Sequence, residues 1–125
     1  MFRISVKRIY DAASPDDGFR VLIDRIWPRG MTKEHAAVDL WLKEIAPTTP
    51  LRQWFHHQEM SAEVWQIFCQ RYRDELQNNP EPVSALVQHC ESGIVTLLYS
   101  AKDREYNQAL VLKDYLTELE TQKPR

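Results

Sequence analysis

Residues 2–7, FRISVK, alternate strictly, with Phe2, Ile4 and Val6 on one side of an extended chain and Arg3, Ser5 and Lys7 on the other. Successive strand side chains point to opposite faces, so the stretch predicts a half-buried strand at a sheet edge. The pattern changes at FRVLID, residues 19–24, where Val21, Leu22 and Ile23 are apolar in succession. A strand with one wet face does not carry such a run, whereas a strand covered on both faces does. GIVTLLYSA, residues 93–101, repeats the signature with Ile94, Val95, Leu97 and Leu98. Two central strands are therefore expected, in a mixed or mostly parallel sheet of three to four strands flanked by helices.

Between these strands the apolar period lengthens. Ser61 is placed to cap a helix whose stripe is Trp65, Phe68, Cys69, Tyr72 and Leu76, at spacings of three and four. Asn79-Pro80 opens another, with Val83, Leu86, Val87 and Cys90 on one face and Gly93 just past its end. A last helix is expected directly after Asp103, burying Ala109 or Leu110 with Leu112, Leu116 and Leu119. Residues 38–45 read either as alternation (Val38, Leu40, Leu42) or as helix (Val38, Trp41, Leu42, Ile45), and Pro47 ends the segment either way. A short strand is favoured because it helps to close a sheet. Residues 11–18, DAASPDDG, are a turn-rich connection. The whole reads as one α/β domain over residues 1–120, with residues 121–125 a disordered tail.

Composition narrows the class without naming a reaction. A chain of 125 residues is long enough to bury a core unaided, and its formal charge of −2 is not that of a dedicated duplex-DNA binder. No apolar run approaches a membrane span and the first residues do not resemble a signal peptide, so a cytoplasmic protein is expected. Cys69 and Cys90 each fall inside an apolar stripe and read as small buried thiols, with a disulfide or redox pair as the other option.

The candidate chemistry lies where the two central strands end. In open α/β sheets, ligands bind beyond the carboxyl ends of the strands. One strand ends in Asp24-Arg25, followed by Trp27-Pro28-Arg29-Gly30; the other ends in Tyr99-Ser100-Ala101-Lys102-Asp103. If the strands are parallel neighbours, Arg25, Arg29 and Lys102 converge beside Trp27 and Tyr99, an arrangement suited to an anion. The plainer readings are local ion pairing of Asp24 with Arg25, core packing by Trp27, and helix capping by Asp103 with Ser100. His56 and His57 are adjacent and so point in different directions, a poor metal clamp; one of them entering the pocket as a base is the more chemical option, and a surface position the plainer one. A zinc site from Cys69, Cys90 and a histidine is rejected, and no cofactor is expected. Serine-nucleophile, phosphate-loop and dinucleotide glycine motifs are absent from the sequence.

Three segments, RVLIDRIWPRGMTKE, DLWLKEIAPTTPLRQWF and VTLLYSAKDREYNQALVLKDYL, resemble the YeaO-like proteins of the domain of unknown function 488 family over about residues 2–119. The resemblance implies a small cytoplasmic bacterial α/β protein and names no reaction. Longer relatives are similar at a Val-Asp-x-Arg run before Pro-Arg, matching Asp24, Arg25, Pro28 and Arg29, and at a Cys-Ala-x-Lys-Asp run before a Cys-His pair. That second run matches Tyr99 to Asp103, with Asn107 and Gln108 where the Cys-His pair would fall. Thiol or metal chemistry is therefore not carried over, whereas Lys102-Asp103 is.

The favoured function is binding, with turnover left open, of an anionic phosphate- or nucleotide-like small molecule between residues 24–30 and 99–103. Arg25, Arg29 and Lys102 would hold the anion beside Trp27 and Tyr99, and Asp24 or Asp103 would be the acid or base of any reaction. The alternative is a nucleic-acid accessory module using Arg52, Trp54, His56, His57, Arg71, Tyr72 and Arg73, where cations interleave with aromatics. A third reading is a protein-interaction module anchored by Trp27 or Trp54.

Overall fold

The structure, a computed structural model, describes residues 1–122. In chain order it contains β1 (Ile4–Arg8), β2 (Phe19–Leu22), α1 (Lys33–Ala36), β3 (Leu40–Trp41), α2 (Thr49–His56), α3 (Ala62–Gln77), α4 (Pro80–Ser92), β4 (Val95–Tyr99) and α5 (Gln108–Gln122). The four strands form one sheet in the order β1-β4-β2-β3, and every pairing is parallel. The two continuously apolar strands are the inner pair, and the alternating strand is an edge, as their patterns require. Among the described residues no helix is long and apolar enough to cross a membrane.

Each sheet face buries a different set of residues. Ile4, Val21, Ile23, Val95, Leu97 and Tyr99 face the larger core, where α3, α4 and α5 lay down Phe68, Tyr72, Leu86, Leu112 and Leu116. Leu22 and Leu98, one position out of phase, join Ile9 and the α1 residue Ala36 on the other face, under Trp27, Met31 and Val38. Helices are thus unequally shared, with three long ones on one face and the single turn α1 with its loop on the other.

Local chemistry fixes the boundaries. The Ser61 hydroxyl accepts from Val64 N–H at the start of α3, and Pro80 opens α4. The segment left between strand and helix takes both forms in turn: Leu40–Trp41 pair with β2, and Lys43–Ile45 make a 3-10 turn. α5 differs from expectation. It begins at Gln108, and Asp103 instead accepts from Glu105 and Tyr106 N–H in a preceding turn, while Asn107 Oδ1 accepts from Leu110 N–H in the first turn of the helix. α5 continues through Thr121 and Gln122; the rest of the expected tail, 123–125, lies outside the described residues.

Gly18 is required by the close approach of β2 to β4. Its φ is +65°, and a Cβ there would stand 2.4 Å from Ile94 O. Gly18→Ala is expected to cost about 2 kcal/mol, from an unfavourable backbone region and the displacement of a neighbouring carbonyl. Urea unfolding measures it, and a loss under about 0.5 kcal/mol would mean that the strand start relaxes freely.

Candidate functional site

Because β2 and β4 are parallel neighbours, their carboxyl ends lie at the same edge of the sheet. The chain leaving β2 runs to α1 on one face, and the chain leaving β4 runs to α5 on the other. Loops that part in this way leave a crevice between the strand ends, the usual ligand position in such sheets. A cleft of about 240 Å³ opens there.

Asp24 closes the inner end of the cleft and is only 8% exposed. Its Oδ2 accepts from Ser100 N–H at 2.9 Å and its Oδ1 from the Gln108 side-chain amide at 2.5 Å. Its main-chain carbonyl accepts from Trp41 Nε1 at 2.6 Å. One residue thereby ties the end of β2 to β3, β4 and the first residue of α5. Burial pushes the Asp24 carboxyl above the ordinary carboxylate range, against the opposing effects of the Ser100 and Gln108 hydrogen bonds and the Arg52 charge.

The cationic wall comes from two elements. Arg25 follows β2 and donates to the carbonyls of Ala46 at 3.0 Å and Pro47 at 3.4 Å, leaving other guanidinium N–H groups uncommitted by these bonds. Arg52 and His56 come from α2, four residues apart and so on one helix face. Arg52 Nε is buried without a hydrogen-bond partner among the described residues. Phe68 of α3, stacked on Phe55 of α2 at 4.1 Å, supplies an apolar wall. From β1, Arg8 donates to Ala101 O at 2.8 Å and Ser100 O at 3.2 Å, which holds the turn after β4 in place.

Of the seven residues expected at the site, Asp24 and Arg25 line this cleft. The convergence of Arg25 with Arg29 and Lys102 is not found: both of the latter are exposed and neither lines the cleft. The cause is the parting of the loops, which carries Trp27 and Arg29 to the α1 face. There Trp27 donates to Met31 O at 2.7 Å and packs edge-on against Trp41 at 5.4 Å. Tyr99 has the strand parity of Leu97 and points into the core. Asp103 is exposed and spends its carboxylate on the turn.

Among the polar cleft residues, Arg52 and Gln108 were not assigned to this site from the sequence, and Ser100 fell within the expected 99–103 segment without a ligand role. A signal for Arg52 exists in Thr48-Thr49-Pro50, a capped helix start that puts residues 52 and 56 on one face; the Thr48 hydroxyl does accept from Leu51 N–H. Among the two histidines, His56 lines the cleft, while His57 Nδ1 lies 2.6 Å from Gln53 O.

The Arg/aromatic run does not make one exposed strip. Tyr72 is fully buried with its hydroxyl on Ile45 O at 2.7 Å, Arg73 pairs with Glu118, and Arg71 lies over the Trp54 ring at 4.5 Å. Both cysteines are free thiols; Cys90 is buried and burial pushes it up to about 11, so it is protonated at neutral pH.

A family model described as "Inactive DUF488-N3 subclade" matches residues 3–124. The Escherichia coli (strain K12) protein named "Uncharacterized protein YeaO" is 42% identical over 116 residues, covering 93% of this chain and 98% of that protein. "Uncharacterized protein Rv3073c" of Mycobacterium tuberculosis and "Uncharacterized protein Mb3100c" of Mycobacterium bovis are each 46% identical over 77 residues, 62% of this chain and 63% of their own length. No solved structure matches the chain. With a family match running from residue 3 to residue 124 and a relative matched over 98% of its length, the chain belongs to the DUF488 family of YeaO-like proteins, within the subclade described as inactive.

Proposed function

We propose that the chain binds a small phosphate- or carboxylate-bearing anion in the cleft between Asp24, Arg25 and Arg52. The observation that carries this reading is Arg52 Nε, a buried donor of a permanent cation with no partner among the described residues. An unsatisfied buried donor costs about 1–3 kcal/mol, more when it is charged, and an anion accepting from it would remove that cost. Arg25 and His56 add donors to the same cleft. Its volume of about 240 Å³ favours a phosphate or carboxylate group with a small body over a whole nucleotide.

Binding without turnover is the better supported form. The matched subclade is described as inactive, and Asn107 and Gln108 stand where the family resemblance places a Cys-His pair. Gln108 donates to Asp24 and cannot exchange a proton near neutral pH, so that contact acts as a tie rather than as an acid–base couple.

Thermal unfolding and titration calorimetry with inorganic phosphate and with small mono- and dicarboxylates test the reading. A ligand present at about 100 times its dissociation constant stabilises by about 2.7 kcal/mol and raises the midpoint visibly. Arg52→Ala is expected to weaken phosphate binding at least about tenfold, as loss of a charge-assisted hydrogen bond implies. Absence of any midpoint shift across these anions, or equal affinity in Arg52→Ala, would sink the reading.

A further inference from the structure

The lining of the cleft contains one group that an anion site would not be expected to hold. Its charged and titratable residues are Arg25 after β2, Arg52 and His56 on α2, and Asp24, with Ser100 and Gln108 contributing only neutral groups from β4 and α5. Three of the four are donors, and the fourth is a buried carboxylate. A carboxylate beside a bound anion repels it unless a proton lies between them.

Asp24 still has acceptor capacity. Each carboxylate oxygen carries about two lone-pair sites. Ser100 takes one site on Oδ2 with its N–H and a further site with its side chain, and the Gln108 amide takes one on Oδ1. Arg52 is close enough to favour the ionised carboxylate, yet the two make no ion pair. Of about four sites three are taken, which leaves about one for a donor brought by the ligand.

Resting on the anion-binding reading, we propose that this cleft selects a protonated oxyanion, namely hydrogen phosphate or a phosphoryl group keeping one P–OH, whose hydroxyl donates to Asp24 while its other oxygens accept from Arg25 and Arg52. Sulfate is the discriminating analogue. It has the same tetrahedral shape and a similar charge, but at pH 7 it carries no O–H and meets Asp24 lone pair to lone pair. A site built to accept a ligand's hydrogen bond rejects the analogue lacking it, here by at least about tenfold, because the buried acceptor is left unpaired.

Calorimetry at pH 7 with sodium phosphate and sodium sulfate at matched ionic strength, on wild type and Asp24→Asn, tests the proposal. The wild type is expected to bind phosphate at least about tenfold tighter than sulfate. In Asp24→Asn the preference is expected to collapse to within about threefold, since an amide N–H serves sulfate as readily. The variant keeps an oxygen for Ser100 N–H, and the Gln108 amide can turn its own oxygen to the new N–H. If that variant does not fold, wild-type affinities for methylphosphonate and methanesulfonate at pH 6 read the same hydrogen bond, since both are then mainly singly charged and alike in shape and only the phosphonate keeps an O–H.

The outcomes separate the two levels. If neither anion binds the wild type, the anion reading itself fails. If both bind within about threefold, the cleft takes anions but Asp24 does not select a proton. A phosphate preference that survives in Asp24→Asn, or equal wild-type affinity for methylphosphonate and methanesulfonate, also overturns the role given to Asp24.

Discussion

Replacing Asp17 by alanine is expected to remove about 3–5 kcal/mol of folding stability, the usual cost of leaving one partner of a buried ion pair alone. That is a large share of the roughly 5–15 kcal/mol that holds a domain together. Asp17 is 8% exposed and sits just before β2, at the amino edge of the sheet, where it accepts from Arg20 Nη1, from Lys7 Nζ at 3.1 Å and from Ser14 N–H at 2.9 Å. Arg20, 4% exposed, also donates to Ala36 O at 2.8 Å and Ala37 O at 3.1 Å, so the pair holds α1 against the sheet. Without Asp17 the Arg20 charge stays buried and uncompensated. Adding Arg20→Met to Asp17→Ala is expected to recover much of the loss in urea unfolding; a double variant as unstable as the single one would disprove the uncompensated charge as the cause. Burial disfavours ionised Asp17, but Ser14, Lys7 and Arg20 outweigh it and hold the carboxyl below its ordinary 3.8. A depressed carboxylate stabilises above the unfolded-state value and loses that contribution as pH falls through the folded one, so the loss in Asp17→Ala is expected to shrink below about pH 4.

The fold was legible wherever one physical requirement dominated. Apolar residues in succession pointed to strands covered on both faces, and the strands holding Val21 and Leu22 and holding Val95, Leu97 and Leu98 are indeed the inner pair. The stripe from Trp65 to Leu76 kept helical spacing, and the core of α3 is made of Phe68, Tyr72 and Leu76. Segments under two requirements were less legible. Asp103 has the chemistry of a helix cap, yet a turn of four residues intervenes before α5, and Asn107 takes the cap position. Nothing local marks Arg20 for burial, which depends on Asp17 and on the carbonyls of Ala36 and Ala37, partners that only the tertiary structure supplies.

The site was legible as a place and less so as a set of side chains. Parallel neighbours place their ends together, so Asp24 and Ser100 had to approach, and they do at 2.9 Å. What no local pattern announces is that successive loops depart to opposite faces. That departure removes Trp27 and Arg29 from the cleft, and α2 fills the vacated wall with Arg52 and His56. The sequence led to an expectation of Arg25, Arg29 and Lys102 at this edge, whereas the cleft lining holds Arg25 and Arg52; which arginines reach it depends on a crossing that residue types do not encode.

Asp24→Ala is expected to cost about 2–4 kcal/mol, because two donors from different elements lose one shared acceptor. The Ser100 N–H and the Gln108 amide both end on this carboxylate, so its removal loosens the join between β4 and the start of α5 without touching the apolar core. The pH dependence runs opposite to that of Asp17. Burial raises the Asp24 carboxyl above its ordinary 3.8, so near that range the native state holds a proton more readily than the unfolded chain. The buried charge therefore lowers stability at neutral pH, and the penalty fades as pH falls through the folded value and is gone below the unfolded one. Asp24→Asn lacks this ionisation, so its stability relative to wild type is expected to be most favourable near pH 7 and to decline steadily towards pH 4. Unfolding curves for wild type, Asp24→Asn and Asp24→Ala between pH 4 and pH 8 measure both effects. A flat Asn-minus-wild-type difference would mean that Asp24 titrates alike in both states, and that its charge costs the fold nothing. A declining difference beside an unstable alanine variant would mark a carboxylate kept at a cost in stability, as expected of a group retained for what it binds rather than for what it holds together.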